Sequence, residues 1–71
     1  MIIVHKNRTI PFESVVLKID YHKLADCYDI NAYTGDKYFA VKAAIPTYYE
    51  AKRILEDIVV AYKRGDKIYE T

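Results

Sequence analysis

The sequence predicts an α+β fold, in which a small antiparallel β-meander of three to five strands carries one C-terminal amphipathic helix packed on one face. Two observations lead to this prediction. A β-hairpin is indicated by Gly35 and Asp36, which lie between the segments 27–34 and 37–45. Both segments are rich in β-branched and aromatic residues, and apolar and polar residues alternate along them. Residues 48–64 place apolar side chains at helical spacing directly after a capping sequence, which predicts a helix with one apolar side.

The length and composition set limits on this fold. Seventy-one residues allow one domain, so we expect a single domain over 1–71. A chain this short buries only about 60% of its unfolded surface, and tight self-association is one way in which such a small core gains stability. The formal charge of +1 gives no field strong enough to imply nucleic acid or an anionic membrane as partner.

The cysteine count and the N-terminal residues bear on the compartment. Cys27 is the single cysteine, which excludes an internal disulfide and fits a reducing compartment. The apolar run that starts at Met1 reaches Lys6 too soon for a signal peptide. No segment approaches the ~20 apolar residues of a membrane span. We therefore expect a cytoplasmic protein with no membrane partner.

The N-terminal half predicts three strands of different strength. Residues 2–5 are β-branched and form a first strand, whereas residues 9–12 form a weak one, because Pro11 cannot donate a ladder hydrogen bond and belongs at an edge. Residues 14–21 alternate strongly and form the third strand. One of its faces carries Val15, Leu17, Ile19 and Tyr21.

The hairpin turn at Gly35 and Asp36 predicts the register of the next two strands. It places Tyr33 opposite Tyr38 and Asp29 opposite Lys42. On this register one face, which the helix could cover, carries Tyr28, Ile30, Ala32, Phe39, Val41 and Ala43.

The strand over 14–21 is predicted to pair with the strand over 27–34, with Asp20 opposite Cys27. This pairing places Lys18 opposite Asp29. Lys18, Asp29 and Lys42 then form a charged ladder across three strands, on the solvent-exposed face of the sheet. Each opposite-charge pair contributes a few tenths of a kcal/mol at most, so the ladder serves as a check on the register.

The helix is predicted over 48–64, with Thr47 as N-cap and Glu50 at capping-box spacing. Gly65 is its expected left-handed stop. Ile68 and Tyr69, in the tail over 65–71, form either a short last strand or a segment that packs on the sheet edge. The apolar stripe, about 100° wide, consists of Tyr48, Ala51, Leu55, Ile58, Val59 and Tyr62.

No pattern predicts a catalytic residue, a cofactor site or a metal site. A lone Cys27 with scattered histidines such as His22 is a poor match to any zinc spacing, and Asp26 and Asp29 flank the thiol with the wrong charge for a nucleophile. The only glycines, Gly35 and Gly65, are accounted for by a turn and a cap, so no phosphate-binding loop exists. We expect a protein that is not an enzyme and binds no cofactor or metal.

The eight tyrosines are the unusual feature of the composition. Tyrosine and arginine anchor many protein interfaces, although a cross-strand tyrosine pair also stabilises a hairpin by itself. The candidate partner-binding residues form two groups: Tyr33, Tyr38 and Lys42 on the open sheet face, and Tyr49, Arg53 and Val60 on the back of the helix.

Two further partners fit the same residues. Tyr33 and Tyr38 with Lys18, Lys37 and Lys42 match a stacking platform for single-stranded nucleic acid, which is less expected because the chain lacks a clear basic track. Self-association as a homo-oligomer is expected through the helix or through an edge strand that begins at Ile2.

The order of these segments resembles a group of short, mostly uncharacterised proteins of low-GC Gram-positive bacteria and their phages. The segments that carry the resemblance are Met1-Ile2-Ile3-Val4, Val15-Val16-Leu17-Lys18-Ile19, Tyr28-Asp29-Ile30 with the turn at Gly35, and Glu50-Ala51-Lys52 with Leu55-Glu56-Asp57-Ile58. The resemblance implies a phage or prophage origin and no particular activity. We therefore expect a small non-enzymatic interaction module of a phage or mobile element that binds a host protein, as a monomer or a homodimer. The alternative is a single-stranded nucleic-acid-binding protein that uses the Tyr33 and Tyr38 face.

Overall fold

The computed structural model describes all of residues 1–71 and confirms the α+β fold, with six strands and a C-terminal helix. The elements are β1 (Ile2–His5), β2 (Arg8–Pro11), β3 (Val16–His22), β4 (Cys27–Thr34), β5 (Lys37–Ile45), α1 (Tyr48–Arg64) and β6 (Ile68–Glu70). A short 3-10 helix, Phe12–Ser14, connects β2 to β3.

The strands form two sheets of three strands each. One is the predicted antiparallel meander, in the order β3-β4-β5. In the other, β1 lies between an antiparallel β2 and a parallel β6. Residues 68–70 therefore form a strand, the first of the two alternatives for the tail. The expectation that the strand beginning at Ile2 is an edge strand is wrong, because β1 has a neighbour on both sides.

A small aliphatic core joins the two sheets and the helix. Both sheets and α1 contribute to it, through Ile3, Ile10, Ile30, Ala32, Val41, Ile45, Ala51 and Ile58. Each Å² of apolar surface that these side chains remove from water stabilises the fold by about 25 cal/mol. This burial is the main source of stability for so small a chain. The helix therefore covers the Ile30 face of the meander and leaves the other face open.

Both ends of α1 are capped as the sequence predicts. The Glu50 amide donates to the Thr47 hydroxyl oxygen at 3.1 Å. At the other end Gly65 adopts a φ of 89°, and its amide donates to the Tyr62 carbonyl at 3.1 Å. A left-handed residue at this position favours glycine, so the helix ends there. The predicted bounds of the helix, 48–64, are confirmed.

The register between β3 and β4 differs from the predicted one by two residues. His22, and not Asp20, lies opposite Cys27, so that Lys18 pairs with Asn31 and Asp29 pairs with Asp20. The predicted charged ladder is therefore wrong. The faces of the strands are unchanged, because side chains alternate with a period of two.

β5 follows the predicted register only near the turn. Tyr38 lies opposite Tyr33, but irregularities further along place Lys42 opposite Ile30 and Ile45 opposite Tyr28. The predicted pairing of Asp29 with Lys42 is wrong for this reason. The side chain of Asp29 instead accepts a hydrogen bond from the Ala44 amide at 3.0 Å.

These irregularities are β-bulges, in which extra residues of one strand face a single residue of its partner. The bulges also change which residue of β5 enters the core. Ala43, predicted on the covered face, is exposed, and Ile45 is buried in its place. Ala44 adopts a φ of 56°, a conformation that is unfavourable for a side chain with a Cβ.

We predict that glycine substitution has opposite effects at two adjacent positions of this bulge. Ala44→Gly relieves the left-handed strain, which outweighs the added chain entropy, and should raise the free energy of unfolding by about 0.5 kcal/mol. Ala43→Gly is the matched control, with no strain to relieve, and should lower it by about 0.5–1 kcal/mol. Urea denaturation measures both values. Equal losses in the two variants would contradict the bulge geometry.

Candidate functional site

Apolar and aromatic side chains form a row on the open face of the meander. Val16 lies opposite Tyr33, and Tyr33 lies opposite Tyr38, so the row crosses all three strands of the sheet. Val16 is 62% exposed and Tyr38 is 61% exposed. Tyr33, between them, is half-buried. We call these three residues the contact row, and α1 packs on the other face of the sheet.

Contacts from both neighbouring strands hold Tyr33 in the middle of the contact row. Its ring stacks on Tyr38 of β5 with a centroid distance of 5.2 Å and an interplanar angle of 30°. From β3, the Lys18 ammonium lies 5.1 Å from the Tyr33 ring centroid, and the Tyr33 hydroxyl donates to the Asp20 carboxylate. A ring held in this way has little freedom to lose when a partner binds.

Asp20 lies beside the contact row as a fixed negative charge. Its carboxylate accepts hydrogen bonds from the Tyr33 hydroxyl and, at 2.8 Å, from the side-chain amide nitrogen of Asn31. These bonds lower the pKa of Asp20, that from Tyr33 being the larger cause, and the pKa of the Tyr33 hydroxyl is raised in turn. Asp20 lies opposite Asp29. The two carboxylates do not share a hydrogen-bond donor, because Asp29 accepts its bond from the Ala44 backbone amide.

The structure separates Lys42 from the tyrosine pair with which the sequence groups it. The bulges place it opposite Ile30, and its charge helps to lower the pKa of His5, after burial and Lys6. Lys42 therefore belongs to the region around the β1–β2 hairpin. Lys18 is the lysine that contacts the contact row, over the Tyr33 ring. Lys37 lies opposite Thr34 and alternates to the other face of the sheet from Tyr38.

The second predicted group lies on the outer side of α1. Tyr49 is 69% exposed and Val60 is 53% exposed, and Arg53 is exposed as well. At 1.5 Å per residue, Tyr49 and Val60 lie about 16 Å apart along the helix axis, so the three residues do not converge on one spot. The helix also separates this group from the contact row, which is on the far face of the sheet.

The chain matches no protein-family model, no curated protein and no solved structure.

Function must therefore be inferred from the residues themselves. His22 and Cys27 lie opposite each other where the β3–β4 hairpin closes, and Asp26 accepts a hydrogen bond from the Tyr21 hydroxyl at 2.8 Å. No three His, Cys, Asp or Glu side chains group closely enough to hold a metal ion. None of the helices combines the length and apolarity needed to cross a membrane.

Sequence reasoning missed two members of this surface. Alternation along the strand over 14–21 puts Val16 and Asp20 on the same face as Lys18, but the predicted register did not bring them to Tyr33. Periodicity contains no signal that distinguishes the two registers, because both leave every side chain on the same face. The two registers differ in the length of the loop: residues 23–26 close the observed hairpin, and Asp26 adopts a positive φ of 49°.

We predict that Tyr33→Phe raises the pKa of Asp20 towards its ordinary value of about 3.9, because the hydroxyl stabilises the ionised carboxylate. In the unmodified chain, the Tyr33 hydroxyl therefore stabilises the folded state at neutral pH. This contribution is lost as the pH falls through the folded-state pKa of Asp20. Carboxyl ¹³C shifts followed against pH by NMR measure this pKa.

Tyr38→Phe is the control for this experiment, because the Tyr38 hydroxyl forms no hydrogen bond to a protein side chain. It should leave the titration of Asp20 unchanged. An unchanged Asp20 pKa in Tyr33→Phe would show that the hydroxyl does not hold the carboxylate.

Proposed function

We propose that this chain is a non-enzymatic interaction module that binds another protein through the contact row of Val16, Tyr33 and Tyr38. The observation that carries the proposal is the exposed Tyr38 ring, stacked on a Tyr33 ring that Lys18 and Asp20 hold in place. Exposed aromatic side chains that are ordered before binding have the properties of interface hot spots.

The surroundings of the contact row indicate what a partner must offer. Val16 and Tyr38 present apolar surface, while Lys18 and Asp20 provide charges of both signs beside it. An apolar centre with a charged rim is the usual arrangement of a protein–protein interface. The complementary surface on the partner would carry an apolar or aromatic group, with an acidic group towards Lys18.

The sequence resemblance supports the wider setting of this proposal. It favours a phage or mobile-element protein whose partner is a protein of the bacterial host. The single Cys27 supports a reducing compartment, and hence the cytoplasm, as the place where the two meet.

Single-stranded nucleic acid is a weaker candidate for the same surface. Lys18 and Tyr38 flank Tyr33 from the two neighbouring strands, so Tyr38 offers the more accessible ring for a base. Asp20 and Asp29 add negative charge to this face, which opposes the approach of phosphates.

We predict that partner binding depends on the aromatic pair. A tagged chain used in a pull-down from bacterial lysate, with and without nuclease, should enrich one host protein in both samples. Tyr38→Ala and the double variant Tyr33→Ala with Tyr38→Ala should each weaken binding of that protein by about 30-fold or more, about 2 kcal/mol, as hot-spot residues do.

Tyr49→Ala is the matched control, because it removes a tyrosine of similar exposure from the opposite side of the molecule. It should bind like the unmodified chain, and circular dichroism should show the same helix content in all variants. Full binding by the double variant would exclude the sheet face. Enrichment that nuclease abolishes and that falls steeply with salt would favour nucleic acid instead.

A further inference from the structure

The outer edge of β3 has no pairing partner. β3 stands at the end of the β3-β4-β5 order and pairs with β4 alone, in a continuous register without a bulge. The backbone hydrogen bonds of turns and caps do not involve Val16–His22, and neither do the bonds from side chains to backbone. A regular, unblocked edge of this length is a template for another strand.

The charges on β3 match a second copy of the same strand. Ile19 is the midpoint of the seven-residue strand, and Lys18 and Asp20 lie on either side of it. In an antiparallel pair centred on Ile19, Lys18 of each copy lies opposite Asp20 of the other. Symmetric registers centred on Lys18 or on Asp20 place like charges directly opposite each other, which is unfavourable.

The register centred on Ile19 is also the one that pairs the whole of β3. On the open face it places Val16 opposite His22 of the second copy. On the helix side it places Ile19 opposite itself and Leu17 opposite Tyr21, so that apolar side chains meet there.

An apolar groove lies next to this edge, between β3 and α1. It has a volume of about 460 Å³ and also contains charged groups of both signs, Lys52, Glu56 and Lys63. The apolar residues that line it are Ile19, Tyr48, Leu55, Val59 and Val60. Tyr48 and Val60 are each 53% exposed, although they border an apolar surface.

We propose that the chain forms a two-fold homodimer in which β3 pairs with β3 of a second copy, antiparallel and centred on Ile19. The two meanders then form one six-stranded sheet, with both helices on one face and both grooves turned towards each other. Such a dimer adds buried apolar surface to a core that is small for an isolated domain. Both contact rows remain on the open face, so this proposal is independent of the proposed function.

The register of the dimer is tested by cysteine cross-linking in a Cys27→Ser background. A mixture of the Val16→Cys and His22→Cys variants should form a disulfide-linked dimer under mild oxidation, because these residues lie opposite each other. Each variant alone should not, since its cysteines lie about 20 Å apart along the paired strands, beyond the reach of a disulfide. Cross-linking as efficient in the single variants as in the mixture, or none in the mixture, would overturn the register.

The contribution of charge is tested by sedimentation equilibrium over a concentration series. The unmodified chain should show twice the mass of one copy, and Lys18→Glu should raise the dimer dissociation constant at least about tenfold, because two attractive pairs become repulsive. Lys37→Glu makes the same change of charge away from the edge and should have no effect. A chain that stays monomeric throughout, or equal effects of the two substitutions, would overturn the proposal whatever the pull-down shows.

Discussion

β5 contains two residues more than the facing part of β4 can pair with, and the rest of the fold depends on how this excess is accommodated. Asp29 supports the distortion by accepting a hydrogen bond from the Ala44 amide. Bulges bend a strand and increase its twist. As a result β5 packs against β1, Ile45 reaches the core, and the chain arrives at Thr47 in position to begin α1.

This bend explains how so short a chain joins two sheets around one core. A flat meander with a helix on one face would leave β1 and β2 without apolar surface to contact. Because β5 bends, Ile3 and Ile10 share one cluster with Val41 and Ile58. β6 then pairs with β1 after the helix, and the Ile2 amide donates to the Lys67 carbonyl at 2.9 Å, so that the two ends of the sequence are held together.

The same arrangement leaves two kinds of unused surface on the meander. One is the contact row on its open face, where Lys18 and Asp20 hold the Tyr33 ring that stacks on Tyr38. The other is the free edge of β3 with its adjoining apolar groove. Lys18 and Asp20 belong to both surfaces, because strand alternation places them on the open face while their backbone forms the edge. The proposed dimer would thus present two contact rows on one sheet, and a partner with two matching sites would bind with increased avidity.

Local sequence patterns predict the fold class, the bounds of α1, the hairpin turn at Gly35 and the side of each strand on which most residues lie. These features depend on local rules: helical periodicity, capping, turn chemistry and alternation. Contacts between separate segments set the register of β3, the bulges of β5, the position of Lys42 and the pairing of β6 with β1. A shift of two residues preserves alternation, a bulge here depends on a bond from Asp29 on another strand, and β6 pairs across almost the whole chain. None of these interactions is local in sequence, so periodicity contains no record of them.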